Sequence, residues 1–148
     1  MLDYLKIADR AWPVLGPLMR GHASLYRATG GRIGDLPGLP RLLLLDHVGA
    51  RSGMRRTTPL VYMPHGDDFI VVPSKGGYPR NPGWLHNLRA NSETTIQIGS
   101  RRIDVRAREA TPAERRELWP KAVEHNPVWG RYQERTRRQI PLVILERR

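Results

Sequence analysis

Cysteine is absent from the 148 residues, which excludes disulfides, thiolate metal sites and a cysteine nucleophile, and fits a reducing, cytoplasmic setting. Acidic side chains are scarce: 14 Asp and Glu stand against 25 Lys and Arg, for a formal net charge of +11. Aromatic residues make up 7 %, few for a module that would stack bases along a sheet. No apolar run approaches the length of a membrane span, and MLDYLKIADRAW lacks the basic region and apolar core of a signal peptide. The histidines at 22, 47, 65, 86 and 125 show no short ligand spacing, so no metal site is expected. GARSG, residues 49–53, places its serine one position too late for a G-x-S-x-G elbow. Walker and dinucleotide-binding fingerprints are missing as well.

What is abundant is positive charge, and arginine supplies nearly all of it. Arginine grips phosphate and carboxylate in a planar fork, so the composition points to an anionic partner: nucleic acid, a membrane surface, or a phosphorylated or polycarboxylate small molecule. A length of 148 residues suits one domain, with residues 1–28 as an amphipathic helix, 29–40 as a Gly/Pro connector and 41–148 as the body. Tyr4, Ile7, Ala11, Leu15 and Leu18 recur at helical spacing, perturbed by Pro13 and Pro17. That helix suits packing against the body or peripheral contact with a membrane.

Strand patterns begin at Arg41. LLLLDHV is followed by the loop GARSGMRR, and TTPLVYM and FIVVPS flank the turn PHGDD. ETTIQI and RIDVRARE flank Gly99-Ser100, the Gly-X signature of a two-residue hairpin turn with positive φ at its first position. In the second of these strands Ile103, Val105 and Ala107 alternate with Arg102, Asp104, Arg106 and Arg108, the mark of an antiparallel sheet with one wet face. A helix is predicted over Pro82–Ala90, capped by Asn81 and carrying Trp84, Leu85 and Leu88 on its apolar stripe. Thr111-Pro112-Ala113-Glu114 forms a capping box; Pro120 kinks or ends that helix, Asn126-Pro127 starts another, and IPLVIL reads as a last strand. The order is helix, strand, hairpin, helix, hairpin, helices, strand. Without βαβ alternation this predicts an α+β fold with a mainly antiparallel sheet or small barrel.

Two loops suit anion binding. Gly49–Arg56 offers three arginines and two glycines, whose backbone can approach a ligand closely. Ser74-Lys75-Gly76-Gly77 follows a buried strand and leads into a helix start, where free N–H groups attract negative charge. Two such loops on one sheet suggest a single elongated anionic ligand.

GARSGMRRTTPL, VVPSKGGYPRNPGWLHNLRAN and WGRYQERTRRQIPLVIL, in this order and spacing, resemble the deazaflavin (coenzyme F420)-dependent nitroreductase and F420H2-dependent quinone reductase family of actinobacteria. The resemblance covers nearly all of the chain from Arg41 onward. It implies a split β-barrel like that of the FMN-binding pyridoxamine-phosphate oxidases, with flanking helices. It also implies that Arg51, Ser52, Gly53, Met54, Arg55 and Arg56 hold the phosphate and acidic tail of coenzyme F420, and that Thr57, Thr58, Pro59 and Leu60 continue along it. Ser74, Lys75, Gly76 and Gly77, with Trp84, His86 and Asn87, would shape the deazaflavin end. Trp84 fits a core position equally well, since it lies one turn from Leu88. Trp129 and Tyr132 match aromatic positions over the coenzyme face, where substrate enters; a third such position is Arg135 in this chain.

The implied activity is hydride transfer from reduced deazaflavin to a small-molecule electrophile: a quinone, an enone or a nitroaromatic. Ser74 and Tyr132 are the expected catalytic residues, hydrogen bonding or protonating the acceptor oxygen. Rival readings are the same barrel with FMN, a basic nucleic-acid-binding module, and a membrane-associated enzyme reaching lipid-soluble quinones through residues 1–28. A homodimer is common among related barrels and is left open.

Overall fold

In a computed structural model of the chain, residues 21, 23–31 and 40–148 are described. Most of the proposed N-terminal helix and residues 32–39 of the connector lie outside them. Residues 23–29 are helical (α1). The body then runs through β1 (Leu42–Val48), β2 (Arg55–His65), β3 (Asp68–Val71), a single 3-10 turn (Lys75–Gly77), α2 (Gly83–Ala90), β4 (Glu93–Ile98), β5 (Arg101–Glu109), α3 (Pro112–His125), α4 (Pro127–Glu134) and β6 (Val143–Arg147). This is the order read from the sequence.

All strand pairs are antiparallel, and the sheet closes on itself in the order β1-β2-β3-β6-β5-β4, with β4 returning to β1. The expected α+β split barrel with flanking helices is therefore the architecture, and closure removes the free strand edges that an open sheet would expose. The barrel interior is filled by inward side chains such as Leu43, Leu45, Phe69, Val71, Ile96, Val105 and Leu145. Trp84, Leu85 and Leu88 of α2 join the same cluster and plug one end. A second core lies outside the barrel wall, where Ile70 and Ile144 meet Leu118 and Ala122 of α3 and Trp129 of α4. β3 and β6 are thus buried on both faces, which is why FIVV and VIL read as unbroken apolar runs. β5 alternates instead, with Ile103, Val105 and Ala107 buried and its arginines in solvent.

Several local signals are realised in detail. Gly99 turns the β4–β5 hairpin at φ 59°. The Thr111 hydroxyl accepts from the Glu114 N–H while the Glu114 carboxylate accepts from the Thr111 N–H, completing the capping box. Tyr26 of α1 is fully buried; its hydroxyl donates to the Leu42 carbonyl at 3.1 Å and accepts from the Gly99 N–H at 2.9 Å, pinning α1 to the barrel.

Three expectations need correction, and the two alternatives for Pro120 reduce to one. The first loop ends at Met54, because Arg55 and Arg56 already pair with Val48 and His47 as β2. Helix α2 starts at Gly83, with Pro82 as its N-cap; the Asn81 side chain does not cap the helix but accepts from Arg138. Pro120 does not end α3, which runs on to His125; Pro120 and Arg116 lie on its exposed side, where water can reach the carbonyl that proline leaves unpaired. β6 begins at Val143, since Ile140 and Leu142 are spent on the outer core and Pro141 has no N–H for the ladder.

Candidate functional site

The β1–β2 loop is a tight structure. The Gly49 N–H donates to the Met54 carbonyl at 2.8 Å and the Gly53 N–H to the Gly49 carbonyl at 2.9 Å, while Ser52 Oγ accepts from the Met54 N–H at 3.2 Å. Gly53 sits at φ 68°. A Cβ at Gly49 would meet Ser52 Oγ, so a side chain there would turn this hydroxyl away from the Met54 N–H. Arg51, Arg55, Arg56 and Met54 all point to solvent.

Part of the positive charge elsewhere is matched by carboxylates. On the wet side of the barrel Arg89 pairs with Glu109, Arg106 with Glu93, and Arg108 with Glu114 and Glu146. Arg27 and Arg102 both reach Asp46, and Thr57 donates to the same carboxylate at 2.7 Å. Burial pushes the Asp46 carboxyl up, but the hydrogen bonds from Thr57, Arg27 and Arg102 outweigh it and hold the group below its ordinary range. Among the described residues no carboxylate pairs with Arg51, Arg55 or Arg56. Part of the chain's net positive charge is therefore left unneutralised and exposed at the β1–β2 loop.

The second loop is built from unusual backbone. Lys75 at φ 45°, Gly76 at 65° and Gly77 at 82° are three consecutive left-handed residues. Glycine accepts this conformation readily, whereas Lys75 is held in it. Gly77 has no room for a side chain: a Cβ would lie 2.7 Å from the Tyr132 carbonyl oxygen and 2.9 Å from Arg135 Cβ. The turn is thus pressed against the C-terminal end of α4. The Lys75 ammonium rests 4.5 Å from the centre of the Tyr78 ring. Ser74 is buried at 8 % exposure, its N–H bonded to the Val72 carbonyl and its carbonyl accepting from the Gly77 N–H.

A side-chain relay ties the β1–β2 loop to α2, the helix that follows the second loop. Asn87 on α2 accepts from the Ala50 N–H through Oδ1 at 2.9 Å, and its Nδ2 faces His47 Nδ1 at 2.9 Å. A backbone N–H can only donate, so Oδ1 must face Ala50 and the amide nitrogen must face His47. His47 Nδ1 is then an acceptor, and Nε2–H donates to Thr58 Oγ1 at 2.9 Å. The ring is in its neutral form. Burial, and then the charge of Arg56, push the His47 pKa down, opposed by Asp46.

These contacts separate the expected site residues into groups. Arg51, Ser52, Gly53, Met54, Arg55 and Arg56 lie on or beside one loop, and Ser74, Lys75, Gly76 and Gly77 on the other. Asn87 touches the first loop alone, with both ends of its amide engaged by protein, so it holds that loop to α2. Thr57 and Thr58 spend their hydroxyls on Asp46 and His47. Pro59 and Leu60 are half-buried along β2. His86 is exposed on α2. Trp84 is 6 % exposed and belongs to the barrel core, the second of its two sequence readings. Trp129, expected over the substrate, is 4 % exposed in the outer core and stacks on His125. Tyr132 is half-buried, with the Arg135 guanidinium 5.6 Å from its ring centre.

Sequence reasoning missed His47 and Arg138. Arg138 donates four hydrogen bonds into residues 73–81 and was hidden in the basic run ERTRRQ. Only the spacing of the final strand from the Ser-Lys-Gly-Gly loop around the barrel would have exposed it.

A family model described as F420H(2)-dependent quinone reductase matches residues 18–147. An F420H(2)-dependent quinone reductase of Mycobacterium tuberculosis is 45 % identical over 135 residues, covering 88 % of this chain and 91 % of that protein. Among solved structures, an F420-H2 dependent reductase superposes with a TM-score of 0.66 at 37 % identity, covering 76 % of this chain and all of that one (100 %). Another, described as a domain-swapped dimer, superposes at a TM-score of 0.69 with 34 % identity, covering 90 % of this chain and 99 % of that one.

Proposed function

The chain belongs to the F420H(2)-dependent quinone reductase family, and on that premise we propose that it is an oxidoreductase using coenzyme F420 to reduce a small electrophile, with a quinone as the acceptor class. Enones and nitroaromatics share the electrophilic carbon that a hydride seeks and are further acceptors in this reading. The observation that carries it is the pair of cationic loops: three unneutralised arginines on one, which Asn87 fastens to α2, and a left-handed Lys-Gly-Gly turn on the other, which leads into the same helix.

The donor set fits a long acidic coenzyme. Forked guanidinium groups from Arg51, Arg55 and Arg56 receive phosphate and carboxylate oxygens in bidentate fashion. Gly76, with open space where a Cβ would stand, lets the backbone approach a flat aromatic head, while Gly77 seats the turn on α4. When bound, the reduced deazaflavin supplies a hydride from carbon, a two-electron donor. Ser74 and Tyr132, on either side of the turn, hydrogen-bond or protonate the acceptor oxygen as negative charge develops there. Trp84, Leu85 and Leu88 root α2 in the core and so keep Asn87 at a fixed position. The family displaces the FMN and nucleic-acid readings. No helix among the described residues is long and apolar enough to cross a membrane. Peripheral membrane contact and a homodimer remain proposals, the latter supported by the dimeric neighbour.

Titration with oxidised coenzyme F420, followed by its fluorescence, tests the binding. Saturable binding at micromolar protein, and oxidation of F420H2 dependent on added menadione, are expected. Absence of binding, or tight binding of FMN in its place, overturns the reading.

A further inference from the structure

Arg138 lies on the segment between α4 and β6, remote in sequence from both loops. Its Nε–H donates to the Tyr78 carbonyl at 2.8 Å, Nη1 to Asn81 Oδ1 at 2.9 Å, and Nη2 to the carbonyls of Pro73 and Ser74, each at 3.0 Å. One side chain thus holds both ends of the Ser74–Asn81 turn, whose centre is the left-handed run Lys75-Gly76-Gly77. Strained backbone of this kind persists only where its surroundings over-determine it. A planar fork with five N–H donors can meet four divergent acceptors at once; an ammonium cannot.

All four acceptors are neutral oxygens, so the guanidinium charge is not cancelled and adds to the field of the turn. Arg138 is itself fixed from the α4 side. Its carbonyl accepts from Gln133 Nε2 at 2.8 Å, and Gln133 Oε1 accepts from the Ile140 N–H at 2.8 Å and from Arg115 at 3.2 Å. Gln133 adjoins Tyr132, whose carbonyl faces Gly77. The same hydrogen-bonded unit therefore touches the coenzyme turn and the helix that carries Tyr132.

We propose that Arg138 is a positioning residue that holds the Ser74–Asn81 turn in its ligand-receiving form and couples it to α4. This rests on the reading that the turn receives coenzyme F420. The experiment uses the full chain, with Arg138→Met and Arg138→Lys. Hydrogen–deuterium exchange is followed for residues 74–82 and for the barrel strands, alongside the Kd for oxidised coenzyme F420. Arg138→Met is expected to speed exchange selectively in residues 74–82 and to raise the Kd about tenfold, corresponding to loss of roughly 1.4 kcal/mol. Arg138→Lys should recover part of both effects; if Arg138→Met does not fold, the lysine variant carries both readouts. Unchanged exchange in the turn, exchange raised evenly through the barrel, or an unchanged Kd overturns the proposal. Should the native protein bind no F420, the functional reading fails and the exchange result alone decides the role of Arg138.

Discussion

Replacing Asn87 by aspartate exchanges an amide nitrogen for an oxygen and reverses the chemistry of the relay. One carboxylate oxygen still accepts from the Ala50 N–H, but the other now faces His47 Nδ1 where an amide donor stood. Two acceptors cannot face each other, so Nδ1 must take a proton. In the native protein the neutral His47 has a pKa below its ordinary value near 6.5, with Arg56 reinforcing and Asp46 opposing the shift that burial begins. As pH falls the unfolded chain takes up this proton first, so the contribution of His47 to stability is complete above about 6.5 and declines as pH falls below it. In the Asn87→Asp variant the imidazolium gains a partner and the folded pKa rises. That contribution is present at low pH and is lost as pH rises through the new folded value. Urea unfolding between about pH 5 and 8 should thus give His47-dependent slopes of opposite sign in the two proteins, with His47→Gln as the baseline for each. Asn87→Ala instead leaves the buried His47 nitrogen without a donor, while the exposed Ala50 N–H finds water. The cost is about 1–3 kcal/mol in stability, with a Kd for coenzyme F420 raised about tenfold as loop ordering moves into the binding step. Parallel pH profiles for the native protein and the Asn87→Asp variant would refute the contact between His47 and residue 87; an unchanged Kd in Asn87→Ala would refute the brace.

Gly77→Ala places a Cβ 2.7 Å from the Tyr132 carbonyl oxygen at φ 82°, so it should cost more than the roughly 1–2 kcal/mol of left-handed strain alone and weaken coenzyme binding. Gly83→Ala, in open space at the start of α2, is the control; its melting temperature should stay the same or rise. Thr111→Ala removes the cap of α3 and should lower stability by about 1 kcal/mol, or about 2–4 °C in Tm at this chain length, with coenzyme affinity unchanged. A changed affinity would show that α3 bears on the site.

The parts of this fold that were legible are those whose cause is local. The capping box at Thr111 and the Gly99 turn each depend on residues within four positions, and both occur as read. The alternation along β5 names its wet face because each strand residue carries its own orientation. Legibility fails where the deciding partner is distant. Asn81 looks like a cap and Trp129 like a substrate contact until Arg138 and the outer core are in place. Asn87 was found, but as a ligand contact: its partners Ala50 and His47 lie 37 and 40 positions away, beyond any local pattern. Arg138 was one arginine in a basic run, and nothing local separates a solvated arginine from one that holds a turn 60 residues earlier.

The two braces divide the work on either side of α2. Asn87 fastens the arginine loop to the middle of the helix, and Arg138 fastens the left-handed turn just before the helix begins. The helix itself is rooted in the barrel through Trp84, Leu85 and Leu88. The first loop therefore takes its position from α2 and the turn takes its position from Arg138 and α4, and neither depends on the other. Ordering a flexible cationic loop around an anion consumes part of the attraction, whereas a loop already fixed retains it for binding. Cancelling the charges with internal ion pairs would also have ordered the loop, as it does for Arg106 and Arg108 on the wet face, but would have removed the positive field on which the proposed coenzyme binding rests. Neutral partners, an amide for the first loop and carbonyl oxygens around Arg138 for the second, give order without loss of charge.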